Sequence, residues 1–485
     1  MKNISSSSFS QLLRGYAPKI GFYIFLIFLI SGCKKFVEIP APTNQLVAST
    51  VYANNATAAA VLTGIYSNME SYVFNGASTT NGIGLYTGLS ADELTNYALS
   101  SQGEQQYYLN ALNNTSHPDF WTEPYSFIYE CNAAIEGLTN STTLSAPVKQ
   151  QLLGEAKFVR AFMYFYLTNL YGDVPLATTT NYQVNNVLSR TPQALVYQQI
   201  IADLISAQSL LSDSYLDLSN AVTSERVRPN KGAATALLAR VYLYTNDWKD
   251  AETQASAVIN NTTNYTLVNN LNGVFLANST EAIWQLQSTI PNVNTQDAIT
   301  YILTAGPNNA NHPVALSPSL VKAFESGDQR MAEWVGINTF NGTTYYYAYK
   351  YKVGFGQPVT EYEMLMRLAE QYLIRAETEA NGAGGGTNSA VQDLNIIRNR
   401  AGLANYSGAT DKASLVTAIL HERQVELFTE LGHRWLDLKR TATVNAVMSV
   451  VTPQKGGTWD ANWQLYPIPR TEIQVNPNLK QNPGY

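Results

Sequence analysis

Cysteine, charge and long apolar runs are all scarce in this 485-residue chain. There are two cysteines, and Asp, Glu, Lys and Arg together make only 14% of the residues. The longest apolar stretch, residues 20–30, is about half the roughly 20 residues a membrane-spanning helix needs. The two cysteines sit in unrelated settings, Cys33 after that stretch and Cys131 inside an amphipathic helical pattern, so no disulfide framework is expected. Charge at 14% falls well below the usual quarter or so. Neutral polar groups must then cover much of the surface, which suits neutral ligands. Acids outnumber bases 36 to 30 with no basic stripe, which excludes nucleic acid as a partner. Tyrosine, by contrast, is abundant at 31 against 16 phenylalanines, and a ring with a polar tip works at half-wet surfaces.

The N-terminus carries Lys2, Arg14 and Lys19 with no acid, then the apolar stretch, then Ile30-Ser31-Gly32-Cys33. That is the layout of a secretory signal, and its end resembles a bacterial lipobox. Residues 1–32 are expected to be removed, Cys33 to be lipidated, and 33–50 to form a tether; the chain is then anchored to the membrane rather than spanning it. Without the signal's three bases, 27 bases face 36 acids, a net charge of −9. Cys131 is then alone and is expected to be a buried, inert thiol.

Residues 51–485 read as one helical body. Ala239, Tyr242, Ala251, Ala255 and Val258 match the spacing of a tetratricopeptide repeat, with Asn246-Asp247 at the turn. One such pair cannot bury its own apolar face, so others must stack beside it. Helical periodicity proposes them at 155–171 with 192–211, 363–381 with 390–400 after Gly382–Gly386, and 51–69 with 120–138. Two polar excursions interrupt the pattern, 71–118 and 261–320. The second holds 11 asparagines, two acids and no Lys or Arg. Loops this long inside a compact body are usually functional or disordered, and the apolar and aromatic residues Phe275, Trp284 and Tyr301 favour order here. Within it Trp284 lies in an alternating stretch and reads as a core residue of a strand.

Several blocks together resemble the SusD/RagB family of outer-membrane lipoproteins. They are Gly154-Glu155-Ala156-Lys157-Phe158-Val159-Arg160-Ala161 through Gly172-Asp173-Val174-Pro175; Arg228-Pro229-Asn230-Lys231-Gly232-Ala233-Ala234; Arg367-Leu368-Ala369-Glu370 with Arg375-Ala376-Glu377; Glu422-Arg423-Gln424-Val425-Glu426 with Gly432-His433-Arg434-Trp435; and the closing Asn482-Pro483-Gly484-Tyr485. The resemblance implies a mostly α fold of about four tetratricopeptide-like helix pairs plus a variable, loop-rich region that carries ligand specificity. It implies a surface lipoprotein of the outer membrane that captures oligosaccharide and passes it to a SusC-like TonB-dependent transporter. Some relatives resemble peptide receptors, so a RagB-like peptide-binding role stands as the alternative.

No cofactor, metal or catalytic group is expected. Glu422, Glu426 and Glu430 lack the His-Glu-x-x-His order of a zinc helix, because position 425 is Val; ion pairing to Arg423, Arg434 and Arg440 is expected instead. Glu155, Lys157 and Arg160 are close enough for local pairing. A surface glycoside hydrolase would need two suitably spaced carboxylates, with Asp92-Glu93 and Glu281 or Asp297 as the candidates; Asp92-Glu93 reads as a helix start. The two excursions are expected to form one ligand surface. Tyr86 and Tyr301 are the stacking candidates, and Asn81, Asp92 and Asn294 the candidates for binding sugar hydroxyls.

Overall fold

Small residues set the spacing of the helical body. In the computed structural model, which describes residues 51–70, 82–115, 120–308 and 312–485, helices Lys231–Tyr244 and Trp248–Ile259 form the repeat pair the spacing predicts. Ala239, Ala251, Ala255 and Val258 are all buried. Asn246 takes the left-handed turn conformation, φ 60°, and the Asp247 side chain caps the second helix at Asp250 N–H.

Around this pair the helices stack in chain order. Thr122–Asn140 packs on Ala146–Tyr171, which packs on Gln193–Leu210; that helix meets Lys231–Tyr244. Beyond Trp248–Ile259 come Leu368–Ala380, Gly386–Arg400 and Lys412–Glu426, sealed by Ala376, Ala380, Ala390, Leu394, Leu415 and Ile419. One expected pair, 51–69 with 120–138, is only a secondary contact. Helix Asn55–Met69 lies mainly along Ala146–Tyr171, and Thr122–Asn140 takes Ala146–Tyr171 rather than 51–69 as its chief neighbour. Cys131 is fully buried in Thr122–Asn140, and burial pushes its thiol pKa up.

Among the described residues six strands make three antiparallel pairs: β1 Leu94–Asn96 with β3 Val314–Leu316, β2 Ala282–Leu286 with β6 Glu363–Arg367, and β4 Val335–Phe340 with β5 Thr343–Ala348. Glu363–Arg367 was expected to open a helix. All five residues are buried as a strand, and the helix begins at Leu368. Trp284 on β2 is core, as expected, its ring 4.9 Å from Phe158 and 5.3 Å from Phe162.

The family blocks are joined by charge at long range. Glu155 pairs with Arg228 at 2.6 Å, and Arg160 grips Asp203 through two hydrogen bonds of 2.8 and 2.7 Å, so neither makes the local pair expected of it. Arg240 grips Glu370 across two helices at 2.7 and 2.6 Å. At the centre, Arg367 meets Glu281 at 3.0 Å and Glu430 at 2.8 Å, while Arg330 meets Glu422 at 2.6 Å and Glu426 at 2.9 Å. The expected partners are engaged elsewhere. Arg423 holds Asp437, Arg434 holds Asp92, and Arg440 holds both Asp437 and Glu377. Among the described residues no cluster of His, Cys, Asp or Glu has metal-binding geometry, and no helix is long and apolar enough to cross a membrane.

Candidate ligand-binding surface

The two polar excursions meet as a sheet. β1 belongs to the first and β3 to the second, in the register Leu94↔Leu316, Thr95↔Ala315, Asn96↔Val314. Backbone bonds from Tyr97 N–H to Pro313 O (2.7 Å) and from Ser317 N–H to Glu93 O (2.8 Å) extend the ladder at both ends. β5 lies beside β3.

That third component, the β4–β5 hairpin, was not among the sequence expectations. Its signal is Asn341-Gly342, both at positive φ (49° and 77°) between two strands rich in Thr and Tyr, the two-residue turn whose twist matches the flanking strands. One face of the hairpin carries Asn338, Phe340, Tyr345 and Tyr347. Phe340 covers Gly306, where a Cβ would lie 2.5 Å from its ring, and Asn338 donates to Leu303 O at 3.0 Å. These contacts dock the hairpin on the second excursion.

Docking sets Tyr345 edge-on to Tyr97, centroids 5.4 Å apart at 84°. Burial pushes the Tyr97 phenol pKa up, with the Tyr345 and Tyr108 phenols adding to it. Burial also raises Tyr108, against a hydrogen bond with Thr95. All three rings are half-buried, so each keeps an edge or face toward water. Polar groups fix the base beneath them: Asn96 donates to Gln105 Oε1 at 2.8 Å and accepts from Ala98 N–H at 3.0 Å. Leu99, two residues after Tyr97, is 71% exposed, and Ile337 on the opposite hairpin face is 60% exposed. Half-buried tyrosines beside amide and hydroxyl groups are the equipment for stacking on a sugar's C–H face while bonding its hydroxyls.

The residues singled out from sequence sit elsewhere. Tyr86 is 1% exposed; its helix, Ile83–Ser90, is buried at all eight positions, and its ring packs 4.6 Å from Tyr107. Gly84 lets that helix pass so close that a Cβ would lie 2.5 Å from Thr429 O. Tyr301 is also buried, its hydroxyl among Asp297, Glu93 and Glu363 without a hydrogen-bond partner. Neither ring has a face for stacking. Asn294 is a staple, accepting from Thr360 N–H at 2.7 Å and Glu361 N–H at 3.1 Å. Asp92 is bound by the Arg434 fork at 2.7 and 2.9 Å, and with Glu93 it follows a helix and leads into β1 rather than starting a helix. Asn81 and Cys33 lie outside the described residues, as do 1–50 as a whole.

The carboxylates considered for hydrolysis are inside the fold. Asp92 and Glu281 are in ion pairs. Burial, then the neighbouring Asp92 charge, pushes Glu93 up to about 8 against Arg434 and Lys350. Asp297 is raised by burial and shares a hydrogen bond with Glu363, whose own carboxyl burial holds well above the usual range.

Comparison with known proteins agrees with this architecture. Residues 332–485 match the SusD family, and residues 42–243 match a family described as starch-binding and associating with the outer membrane. SusD-like protein P2 of Formosa agariphila is 29% identical over 96% of this chain and 99% of its own length. A SusD superfamily protein from Bacteroides vulgatus superposes with a TM-score of 0.75 at 22% identity, covering 90% of this chain and all of its own. A laminarin-binding SusD-like protein gives 0.72 at 24% identity, again over 90% of this chain and all of its own. The blocks spread along the sequence, the stacked helices and these likenesses agree: the chain belongs to the SusD-like family.

Proposed function

We propose that this protein captures glycan at the cell surface on the tyrosine-bearing surface formed by β1, β3 and the β4–β5 hairpin, and passes it to a SusC-like TonB-dependent transporter. The observation that carries the reading is the pairing of β1 with β3. It joins two excursions remote in sequence into one surface and sets Tyr97 against Tyr345 of the hairpin. The starch-binding description of the family matched over 42–243, and the laminarin-binding neighbour, support glycan as the ligand class. Binding rather than hydrolysis is the proposed activity, with no cofactor. The anchor is Cys33, following a signal at 1–32 and preceding a tether at 33–50; a Cys33→Ala protein recovered in the detergent phase would place the anchor elsewhere.

Affinity electrophoresis of the full chain through gels containing polysaccharides tests the central reading. Retardation that Tyr97→Ala abolishes supports it. Failure to bind any glycan, with recovery of bound peptide from culture medium, would replace it by the RagB-like peptide receptor. Release of reducing ends would replace it by a hydrolase.

A further inference from the structure

We infer that the ligand of this surface is an uncharged glycan, an inference that rests on the tyrosine surface being the glycan site. Residues 94–103, 302–308, 312–317 and 335–349, which build that surface, contain no Asp, Glu, Lys or Arg. His312 is the titratable group of these segments besides their tyrosines, and burial lowers its pKa, keeping it neutral near pH 7.

The acids of the excursions around them turn inward. Asp92 is held by Arg434, and Glu281 by Arg367 and Arg400. Glu93 and Glu104 are buried, and Asp297 is hydrogen-bonded to Glu363. Nearby cations are engaged as well. Lys350 donates to Glu426 O, Phe428 O and Glu430; Lys352 to Glu333 O and Tyr349 O; Lys455 to the carbonyls of Leu89, Ser90 and Ala91.

Strong recognition of a sulfate or uronate is favoured by an Arg fork or a free ammonium. An anionic group laid on this surface would lose hydration and meet no opposite charge. A neutral pyranose has no such penalty: its C–H face meets a tyrosine ring, and its hydroxyls meet hydroxyl and amide groups. The same absence disfavours a cationic ligand, since no free carboxylate among the described residues of these segments awaits it.

The test is affinity electrophoresis of the full chain against neutral polysaccharides (laminarin, starch, galactomannan) and acidic ones (alginate, polygalacturonate, carrageenan). Calorimetry of the best ligand then follows at about 20 mM and about 500 mM NaCl, a range over which exposed charge pairs become strongly screened. The expected result is retardation by a neutral member only, with a Kd that changes less than about twofold across that range. A best ligand that is acidic, with affinity falling about tenfold or more in high salt, would overturn the inference. If Tyr97→Ala weakens that acidic ligand, the site reading survives and only the claim of neutrality fails. Binding of any glycan that Tyr97→Ala and Tyr345→Ala leave untouched would overturn the site reading and this inference with it, as would a folded protein that no glycan in the panel retards.

Discussion

Charge and tyrosine occupy opposite places in this molecule. In the interior, Arg330, Arg367 and Arg400 interlock with Glu281, Glu422, Glu426 and Glu430, every one of them largely shielded from water. On the surface of β1, β3 and the β4–β5 hairpin there is no charge, only half-buried tyrosines and neutral polar groups. A 14% charged fraction therefore understates how sparse charge is where a ligand would meet the protein, because much of it is locked inside. A buried ion pair is weak evidence of net stability against an apolar replacement, but removing one partner strands the other. The ionic centre is thus expected to be intolerant of single substitutions and silent in recognition. The tyrosine surface is expected to be tolerant in stability and decisive in recognition.

Arg367→Met is the strongest way to break that contrast. It removes the one cation that Glu281, Glu426 and Glu430 all share, leaving Arg400 to the first two and Lys350 to the third, and a loss of about 3–5 kcal/mol in urea unfolding is expected. A loss below about 1 kcal/mol would mean that the network relaxes and is not a structural centre. Tyr86→Ala comes next. Because the ring lies against Tyr107 and Phe120 in the core, about 3 kcal/mol of stability should go. Loss of affinity without loss of stability would return Tyr86 to the ligand site.

Glu93→Gln tests the buried carboxyl beneath the surface. Its folded pKa is raised from 4.5 to about 8, so the native state holds the proton more tightly than the unfolded chain. The wild type should be most stable below about pH 4.5 with respect to this group, and lose that contribution as pH rises through about 8. Glu93→Gln removes the titration, so its stability relative to wild type should increase between about pH 4.5 and pH 9, by about 5 kcal/mol for a shift of this size. A pH-independent difference would show that the carboxyl titrates normally. The smallest effect belongs to Tyr301→Phe. Deleting a buried hydroxyl that has no hydrogen-bond partner should be neutral or stabilising by up to about 1 kcal/mol in thermal unfolding. A clear destabilisation would mean that the hydroxyl has a partner.

Local features were legible in the sequence where local chemistry decides them. The Ala239–Val258 spacing, the Asn246-Asp247 turn and the burial of Trp284 all follow from neighbours within about one repeat. Glu363–Arg367 was misread because a strand buried on both faces shows no alternation, and a short apolar run next to a helix looks like its first turn. Ion-pair partners were misassigned for a different reason. Glu155 finds Arg228, and Glu426 finds Arg330, Arg367 and Arg400, across sequence gaps that helical spacing says nothing about.

Of the proposed site only the outline was legible. That the two excursions come together, as β1 and β3 do, was expected because they are the long segments outside both the repeat and the family blocks. Which tyrosines stay half-exposed was not, because Tyr86 and Tyr97 differ in packing, not in local sequence type. Gly84 and Gly88, one helical turn apart, were the available sign that the Tyr86 helix passes close to other backbone and side chains. Asn341-Gly342 was the available sign of the hairpin that supplies Tyr345.

The most direct measurement pairs calorimetry with thermal unfolding on Tyr97→Ala, Tyr345→Ala and the double variant, using the polysaccharide that retards the wild type. Each single change should weaken binding by about 2 kcal/mol, roughly thirtyfold, while the melting temperature moves by no more than about 4 °C, in keeping with a surface site. Full-strength binding by the folded double variant would contradict the placement of recognition on the neutral tyrosine surface.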